Sequence, residues 1–303
     1  MLFALDTELP LFAGLCEALG AEAGSIEQRQ FPDGESYLRV ASPVEGRDCV
    51  ILANLVDPDS KFLPLAFLAG TLRELGARSV GLVAPYLCYM RQDTRFHPGE
   101  AVTSRLFASL LSEQVDWLVT VDPHLHRYHT LDEIYSIPST VVQGAPALAQ
   151  WFKTHEEPVV LVGPDSESEQ WVSVIAERIG QPFVVGRKER RGDRDVVVTL
   201  PNMAAYRGRT AVIVDDVISS GHTVLKALAS LQASGMAHVD CAAVHGIFAD
   251  GVEQALSHQG LRRLITANSV PHISNVVDLS PWLVGPIQYH LGQHPLKVPG
   301  KQH

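Results

Sequence analysis

Cysteine is scarce in this 303-residue chain, and its four copies, Cys16, Cys49, Cys88 and Cys241, are scattered without a Cys-x-x-Cys pair. Neither a disulfide framework nor a thiolate zinc site is suggested, since both need sulfur at set spacings. Basic residues are outnumbered: 24 Lys and Arg stand against 34 Asp and Glu, a net charge of −10. That balance argues against nucleic acid as the main partner. A polyanionic small molecule would have to be held by a local basic cluster, because the overall field repels it. No apolar run approaches the length needed to cross a bilayer, so no membrane partner is expected. The opening stretch MLFALDTELP has no basic region and no cleavage-type site, and a cytoplasmic location is the simplest expectation.

What is present is a well-mixed apolar chain, 46% hydrophobic, long enough for two domains. Short β-branched runs alternate with helical periodicity throughout. Strands are expected at 1–5, 28–31, 49–52, 79–84, 117–121, 159–162, 183–185, 210–214, 240–245 and 261–267. Helices are expected at 11–19, 61–75, 102–113, 145–153, 167–179, 224–234 and 252–258. The alternation predicts an α/β fold of mostly parallel sheets flanked by helices. An internal echo suggests a duplicated domain: 82–86 followed by 118–122, and 161–165 followed by 212–215. The expected domains are 1–146 and 147–285, with 286–303 a tail.

The most informative stretch is Ala211 to Thr223, AVIVDDVISSGHT. The run Val212–Val214 reads as a strand buried on both faces. Asp215 and Asp216 are expected where it ends, the edge at which ligands bind in open α/β sheets. Ser219, Ser220, Gly221, His222 and Thr223 then offer small hydroxyls and bare N–H groups at a helix start, an anion site. Carboxylates for sugar hydroxyls beside a phosphate nest describe a site for ribose 5-phosphate. An ordinary capped turn accounts for one acid and one hydroxyl, but not for the whole string.

Other segments carry weaker signals. Phe31-Pro32-Asp33-Gly34-Glu35 marks a tight turn, and on its own reads as a plain hairpin. Arg91-Gln92-Asp93 lies beyond the strand 79–84. Arg91 can grip phosphate oxygens in a fork, Gln92 can bond a purine and Asp93 can orient the arginine. Arg95 and Arg105 are weaker candidates for the same role, with solvated surface charge an equal reading. His124 and His126 share a face if extended, but no third Cys or His ligand lies near them. His126 and His129 read as surface or satisfied core residues. Arg187–Arg194 is the densest positive run, and such a run is usually a solvated face. The loop 165–170 places Glu167 and Glu169 beside Asp165, where acids are favoured in a first helical turn.

The run 211–223 resembles the phosphoribosyl-pyrophosphate (PRPP) motif of type I phosphoribosyltransferases and PRPP synthetases. The first-half marks at 31–35, 85–86, 91–93 and 121–124, in that order, single out the PRPP synthetase (ribose-phosphate diphosphokinase) family. The compact loop 91–100 is closer to its archaeal-type branch. The resemblance implies two tandem type I phosphoribosyltransferase-like domains, the first on the ATP side and the second on the ribose 5-phosphate side. It also implies transfer of the diphosphoryl group of ATP to the C1 hydroxyl of ribose 5-phosphate.

By the same resemblance, Phe31, Asp33 and Glu35 would meet the adenine of a neighbouring copy's ATP. That requires self-association into a dimer or larger homo-oligomer. Arg91, Gln92 and Asp93 would complete the ATP site. His124 and Asp165 would serve the metal, Mg2+, and Lys188 and Arg190 would close over the triphosphate as the catalytic pair. Two other readings remain open: a nucleobase phosphoribosyltransferase, and a non-catalytic regulatory protein associated with PRPP synthetases.

Overall fold

Uninterrupted apolar runs form the centre of two parallel sheets, because a strand covered by helices on both faces has no solvated side. The structure is a computed structural model describing residues 1–6, 9–155, 157–191 and 195–293; the side chains of 188–197 lie outside that description. In chain order the first elements are β1 (Leu2–Ala4), α1 (Leu11–Leu19), β2 (Ile26–Gln30), β3 (Ser36–Val40) and β4 (Asp48–Leu52). They continue with α2 (Pro58–Glu74), β5 (Ser79–Ala84), α3 (Thr103–Ser112), β6 (Trp117–Val121) and β7 (Ser139–Val142). Every residue of β5 and β6 is buried. The parallel order is β1-β4-β5-β6-β7, and β2–β3 is a separate antiparallel hairpin. Leu65, Leu68 and Leu72 of α2 pack with Phe107 and Leu111 of α3 on one sheet face, against Ile51, Leu82 and Leu118.

The second unit runs from α4 (Ala145–Lys153) through β8 (Val159–Gly163), α5 (Glu169–Ile179), β9 (Phe183–Val185), β10 (Arg187–Arg191) and β11 (Asp195–Thr199). It continues with β12 (Thr210–Ile218), α6 (His222–Ala233), β13 (Val239–Gly246), α7 (Val252–His258), β14 (Arg263–Ala267) and β15 (Asn275–Val277). Its parallel order is β15-β14-β13-β12-β8-β9, with β10–β11 again a separate antiparallel hairpin. Strands β8-β12-β13-β14-β15 follow the connectivity of β1-β4-β5-β6-β7, and each unit carries a hairpin between its first two matching strands. The duplication is therefore topological, but the counterpart of β12 is β4. The echo read from 82–86 and 118–122 pairs β5 with β6, which do not correspond to β8 and β12. Buried strands ending in Pro or Asp look alike in sequence wherever they sit.

The chain divides into Met1–Val142 plus the segment from Ser280, and Gln143–Leu279. This corrects the expected boundary at 285 and the tail. Helix α8 (Ser280–Gly292) packs on α1, β6 and β7 of the first unit. His290 stacks on Trp117 with ring centroids 5.0 Å apart, and its Nε2 lies 2.9 Å from Thr140 Oγ1. Helix α4 packs on α5, β13 and β15 of the second unit, so α8 closes the first unit as α4 opens the second. Two prolines, Pro281 and Pro286, hid α8: one suits a first turn, while the other breaks the sequence pattern.

A charge network ties the strand starts of the second unit together. Fully buried Asp240 accepts from Arg262 Nε at 2.8 Å and Arg263 Nε at 2.9 Å. Glu157 accepts from Thr210 Oγ1 at 2.6 Å and Arg263 Nη2 at 2.6 Å. The Thr210 hydroxyl, then Arg262 and Arg263, hold the Glu157 carboxyl below its ordinary range. A carboxylate shifted this way stabilises fully above its unfolded value, and the contribution is lost as pH falls through the folded one. Thermal melts of Glu157→Gln should therefore show a deficit at neutral pH that closes in acid. A deficit that stays constant with pH would contradict this.

Candidate active site

In the second unit, β8 pairs with β12 only as far as Val162 and Ile213, and β12 continues beside β13 alone. Asp215 and Asp216 stand in that continuation. This corrects their expected place at a strand end: the strand runs on to Ile218, because β13 stays alongside to Gly246. Asp216 is buried and Asp215 half-buried. Burial, then Asp216, then Asp165 push the Asp215 carboxyl well above the usual carboxylate range. Three acids thus share one corner of the unit.

Asp165 is buried where β8 ends, and its Oδ1 accepts from the backbone N–H groups of Glu167 and Ser168, both at 3.1 Å. Ser168 Oγ donates back to the Asp165 carbonyl at 2.6 Å. This turn folds on itself and leaves Glu167 and Glu169 exposed at the start of α5.

The loop after β12 is clamped from behind. The Ile218 carbonyl accepts from the N–H groups of Ile247 at 2.9 Å and Phe248 at 3.1 Å, and Ser219 O accepts from Ala249 N at 2.9 Å. Gly221 caps α6 at φ +68°, and a Cβ there would stand 2.5 Å from Val252 Cγ1. Only glycine meets both demands, so the first N–H groups of α6 and the hydroxyls of Ser219, Ser220 and Thr223 form the loop's polar lining. His222 and Ser220 are exposed, with Nδ1 and Oγ 3.1 Å apart. Gly221→Val should disorder this cradle. With the 5-phosphate nest expected here from sequence, affinity for ribose 5-phosphate in a calorimetric titration should fall at least about tenfold, equivalent to about 1.4 kcal/mol. Unchanged affinity would contradict the assignment.

The matching place in the first unit is built differently. After β4, the residues 53–60 hold neither adjacent acids nor a glycine. Lys61 Nζ donates to Asn54 O at 2.9 Å and to Asn54 Oδ1 at 3.0 Å, and pairs with Asp6 Oδ1 at 3.1 Å.

The first unit instead builds two limbs beyond β5 and β6. Arg91 is exposed and Gln92 half-buried, with Gln92 Oε1 accepting from Thr103 Oγ1 at 3.4 Å. Asp93 is buried, and its carboxylate takes Arg127 Nη1 at 2.8 Å. On the second limb, Asp122 and His124 sit at φ +34° and +53° around Pro123. Left-handed non-glycine residues so close together mark a strained turn of the kind that clusters at functional sites. Neither that strain nor the Arg127–Asp93 pair was visible in sequence, since the partners are 34 residues apart.

The segment Phe31–Glu35 is the tip of the β2–β3 hairpin. Phe31 N donates to Glu35 O at 2.8 Å, and Gly34 N donates to Phe31 O at 2.9 Å. Phe31, Asp33 and Glu35 are all exposed. The Arg29 guanidinium lies 4.5 Å from the Phe31 ring centroid and 4.3 Å from that of Tyr37.

Lys188 and Arg190 occupy alternate positions of β10, opposite Val198 and Val196. This corrects the expected loop to a hairpin strand; the side chains of both residues lie outside those described. The expected metal pair is divided, His124 in the first unit and Asp165 in the second. No group of three or more His, Cys, Asp or Glu among the described residues is arranged to hold a metal ion. No helix among the described residues is long and apolar enough to cross a membrane.

Paired parallel α/β units, one with an adjacent acid pair feeding a glycine-capped helix start, define a protein of the phosphoribosyltransferase type. A family model for the N-terminal domain of ribose phosphate pyrophosphokinase matches residues 1–114, and one for the phosphoribosyl transferase domain matches 130–281. The ribose-phosphate pyrophosphokinase of Methanobrevibacter smithii is 32% identical, across 89% of this chain and 94% of its own. That of Saccharolobus solfataricus is also 32% identical, across 84% and 88%. The Bacillus caldolyticus protein of the same description is 27% identical, across 92% and 90%. The crystal structure of phosphoribosylpyrophosphate synthetase from Mycobacterium smegmatis matches the fold with a TM-score of 0.83 at 24% identity, over 97% of this chain and 99% of that one. The chain belongs to the ribose-phosphate pyrophosphokinase family.

Proposed function

We propose that this protein transfers the diphosphoryl group of ATP to the C1 hydroxyl of ribose 5-phosphate, giving PRPP and AMP. The supporting observation is the β12-to-α6 element, with its adjacent acids and Gly221-capped loop. Asp215 and Asp216 accept hydrogen bonds from the ribose hydroxyls. Ser219, Ser220, Gly221, His222 and Thr223 hold the 5-phosphate at the start of α6.

The C1 oxygen bonds to the β-phosphorus, the bond from that phosphorus to the α–β bridging oxygen breaks, and AMP leaves. The C1 hydroxyl proton passes to solvent. Alignment and charge screening account for most of the acceleration in such a transfer. Arg91 grips the phosphates, Gln92 meets the purine, and Lys188 with Arg190 neutralises charge developing on the transferred group. Magnesium, when bound with the nucleotide, screens the phosphate oxygens. On this chain Asp165 would hold it on the ribose side, and His124 would touch the metal–triphosphate complex.

We infer that Phe31, exposed at the hairpin tip, meets the adenine of a neighbouring copy, with Asp33 and Glu35 accepting from its exocyclic amine. Activity then requires a dimer or larger assembly.

The test uses the purified protein with magnesium in two arms. Release of AMP from ATP should depend on ribose 5-phosphate, and PRPP should not be consumed with nucleobases when ATP is absent. Base-dependent PRPP consumption would favour a phosphoribosyltransferase. Inactivity in both arms would favour a regulatory subunit.

A further inference from the structure

Two limbs of the first unit carry the residues assigned to the nucleotide, and a pair of consecutive side chains joins them. Asp93, which directly follows Arg91 and Gln92, has a side chain only 2% exposed. A buried carboxylate is tolerated only when a cation or several donors satisfy it. Here Arg127 Nη1 reaches Oδ1 at 2.8 Å. Oδ2 has no hydrogen-bond partner among the described residues, and its nearest cation-forming neighbour, His126 Nδ1, is 3.8 Å away. Among the described residues, the hydrogen bond to this buried carboxylate comes from one guanidinium, with His126 at longer range.

The next residue secures the same peptide. The Tyr128 hydroxyl donates to the Asp93 carbonyl at 3.2 Å while accepting from Arg105 Nε at 3.2 Å. The Arg127 guanidinium also lies 5.5 Å from the Phe96 ring centroid. One side chain thus touches both ends of the turn 93–96. Its far end is braced by Glu100, whose Oε2 accepts from the N–H groups of Phe96 at 2.7 Å and His97 at 2.9 Å. Arg127 and Tyr128 lie three and four residues beyond His124, on the limb that follows β6.

We propose that Arg127 is a positioning residue of the nucleotide site, gripping the Asp93 carboxylate so that the limb bearing Arg91 and Gln92 is fixed against the limb bearing His124. The inference rests on the ATP-binding role proposed for the first unit. Displacing a substrate-gripping limb by about an ångström is enough to lower activity severely.

The experiment measures kcat, the KM of each substrate and the melting temperature for five proteins. These are the wild type, Arg127→Ala, Asp93→Asn, the double variant and Arg127→Lys. Each of the first two substitutions should raise the KM for ATP about tenfold. The double variant should be no worse than the poorer single one, as expected when two residues act through one contact. The KM for ribose 5-phosphate should stay within about twofold, since its site lies on other elements. Arg127→Lys should recover most of the ATP affinity, because a single N–H contact is at stake.

An unchanged KM for ATP in Arg127→Ala would overturn the proposal. So would additive losses in the double variant, which would mean that Arg127 touches the nucleotide itself. Equal weakening of both substrates would reduce the contact to a structural one and overturn it as well. If Arg127→Ala fails to fold, Asp93→Asn and Arg127→Lys carry the test. A wild type that makes no AMP from ATP and ribose 5-phosphate would overturn the proposed function instead, so the two failures are distinguishable.

Discussion

Truncating Lys188 and Arg190 together to alanine is expected to lower turnover by about two to four orders of magnitude, each decade being about 1.4 kcal/mol of barrier. Both KM values should change little. The chain carries a net charge of −10, so its general field opposes two phosphorylated substrates. Local cations must do the neutralising, and the run from Arg187 to Arg194 is the densest supply of them. Within it, Lys188 and Arg190 occupy alternate positions of β10. Cations that meet charge as it appears at the transition state predict a loss in kcat more than in binding. Steady-state AMP release by the double variant checks this. Turnover near the wild-type rate would show that these residues are ordinary solvated charges.

Asp215→Asn is expected to move activity and stability in opposite directions. Turnover should fall by about two orders of magnitude, as when a charged hydrogen bond worth about 3 kcal/mol is lost. The substrate-free protein should become more stable by about 1 kcal/mol at neutral pH. The reason lies in the shift of Asp215, which is raised first by burial, then by Asp216 and Asp165. With its folded value above the unfolded one, the folded state holds the proton more tightly. Stability therefore falls as pH rises from the unfolded value through the folded one, and the deficit persists above it. Asparagine removes the charge and with it that pH dependence. Melting curves across pH, measured beside the kinetic assay, check both halves. A destabilised Asp215→Asn protein with intact turnover would contradict the role given to this carboxylate.

Legibility in the sequence followed how local each feature is. The buried runs of β5, β6 and β12 announce themselves, because a parallel strand covered on both faces has no polar alternation to confuse. The acid pair and the glycine-capped loop are contiguous, so the string itself carries the chemistry. The continuation of β12 past Asp215 was not legible, because it depends on the length of β13, a separate strand. Helix α8 was obscured by its prolines, and its return to the first unit is a long-range packing choice that no short pattern encodes. The hairpin carrying Lys188 and Arg190 read as a loop, because charged residues mask strand periodicity. Likewise, Asp93 could be seen as an orienting acid, but nothing local pointed to Arg127 as its partner.

The most direct measurement is a phosphorus NMR time course of the pure protein with magnesium, ATP and ribose 5-phosphate. AMP and PRPP should rise together in equal amounts, with no ADP and no free phosphate at early times, because the β- and γ-phosphoryl groups move as one unit to the sugar. ADP accumulation, or AMP formation without a new diphosphate resonance on ribose C1, would contradict the account.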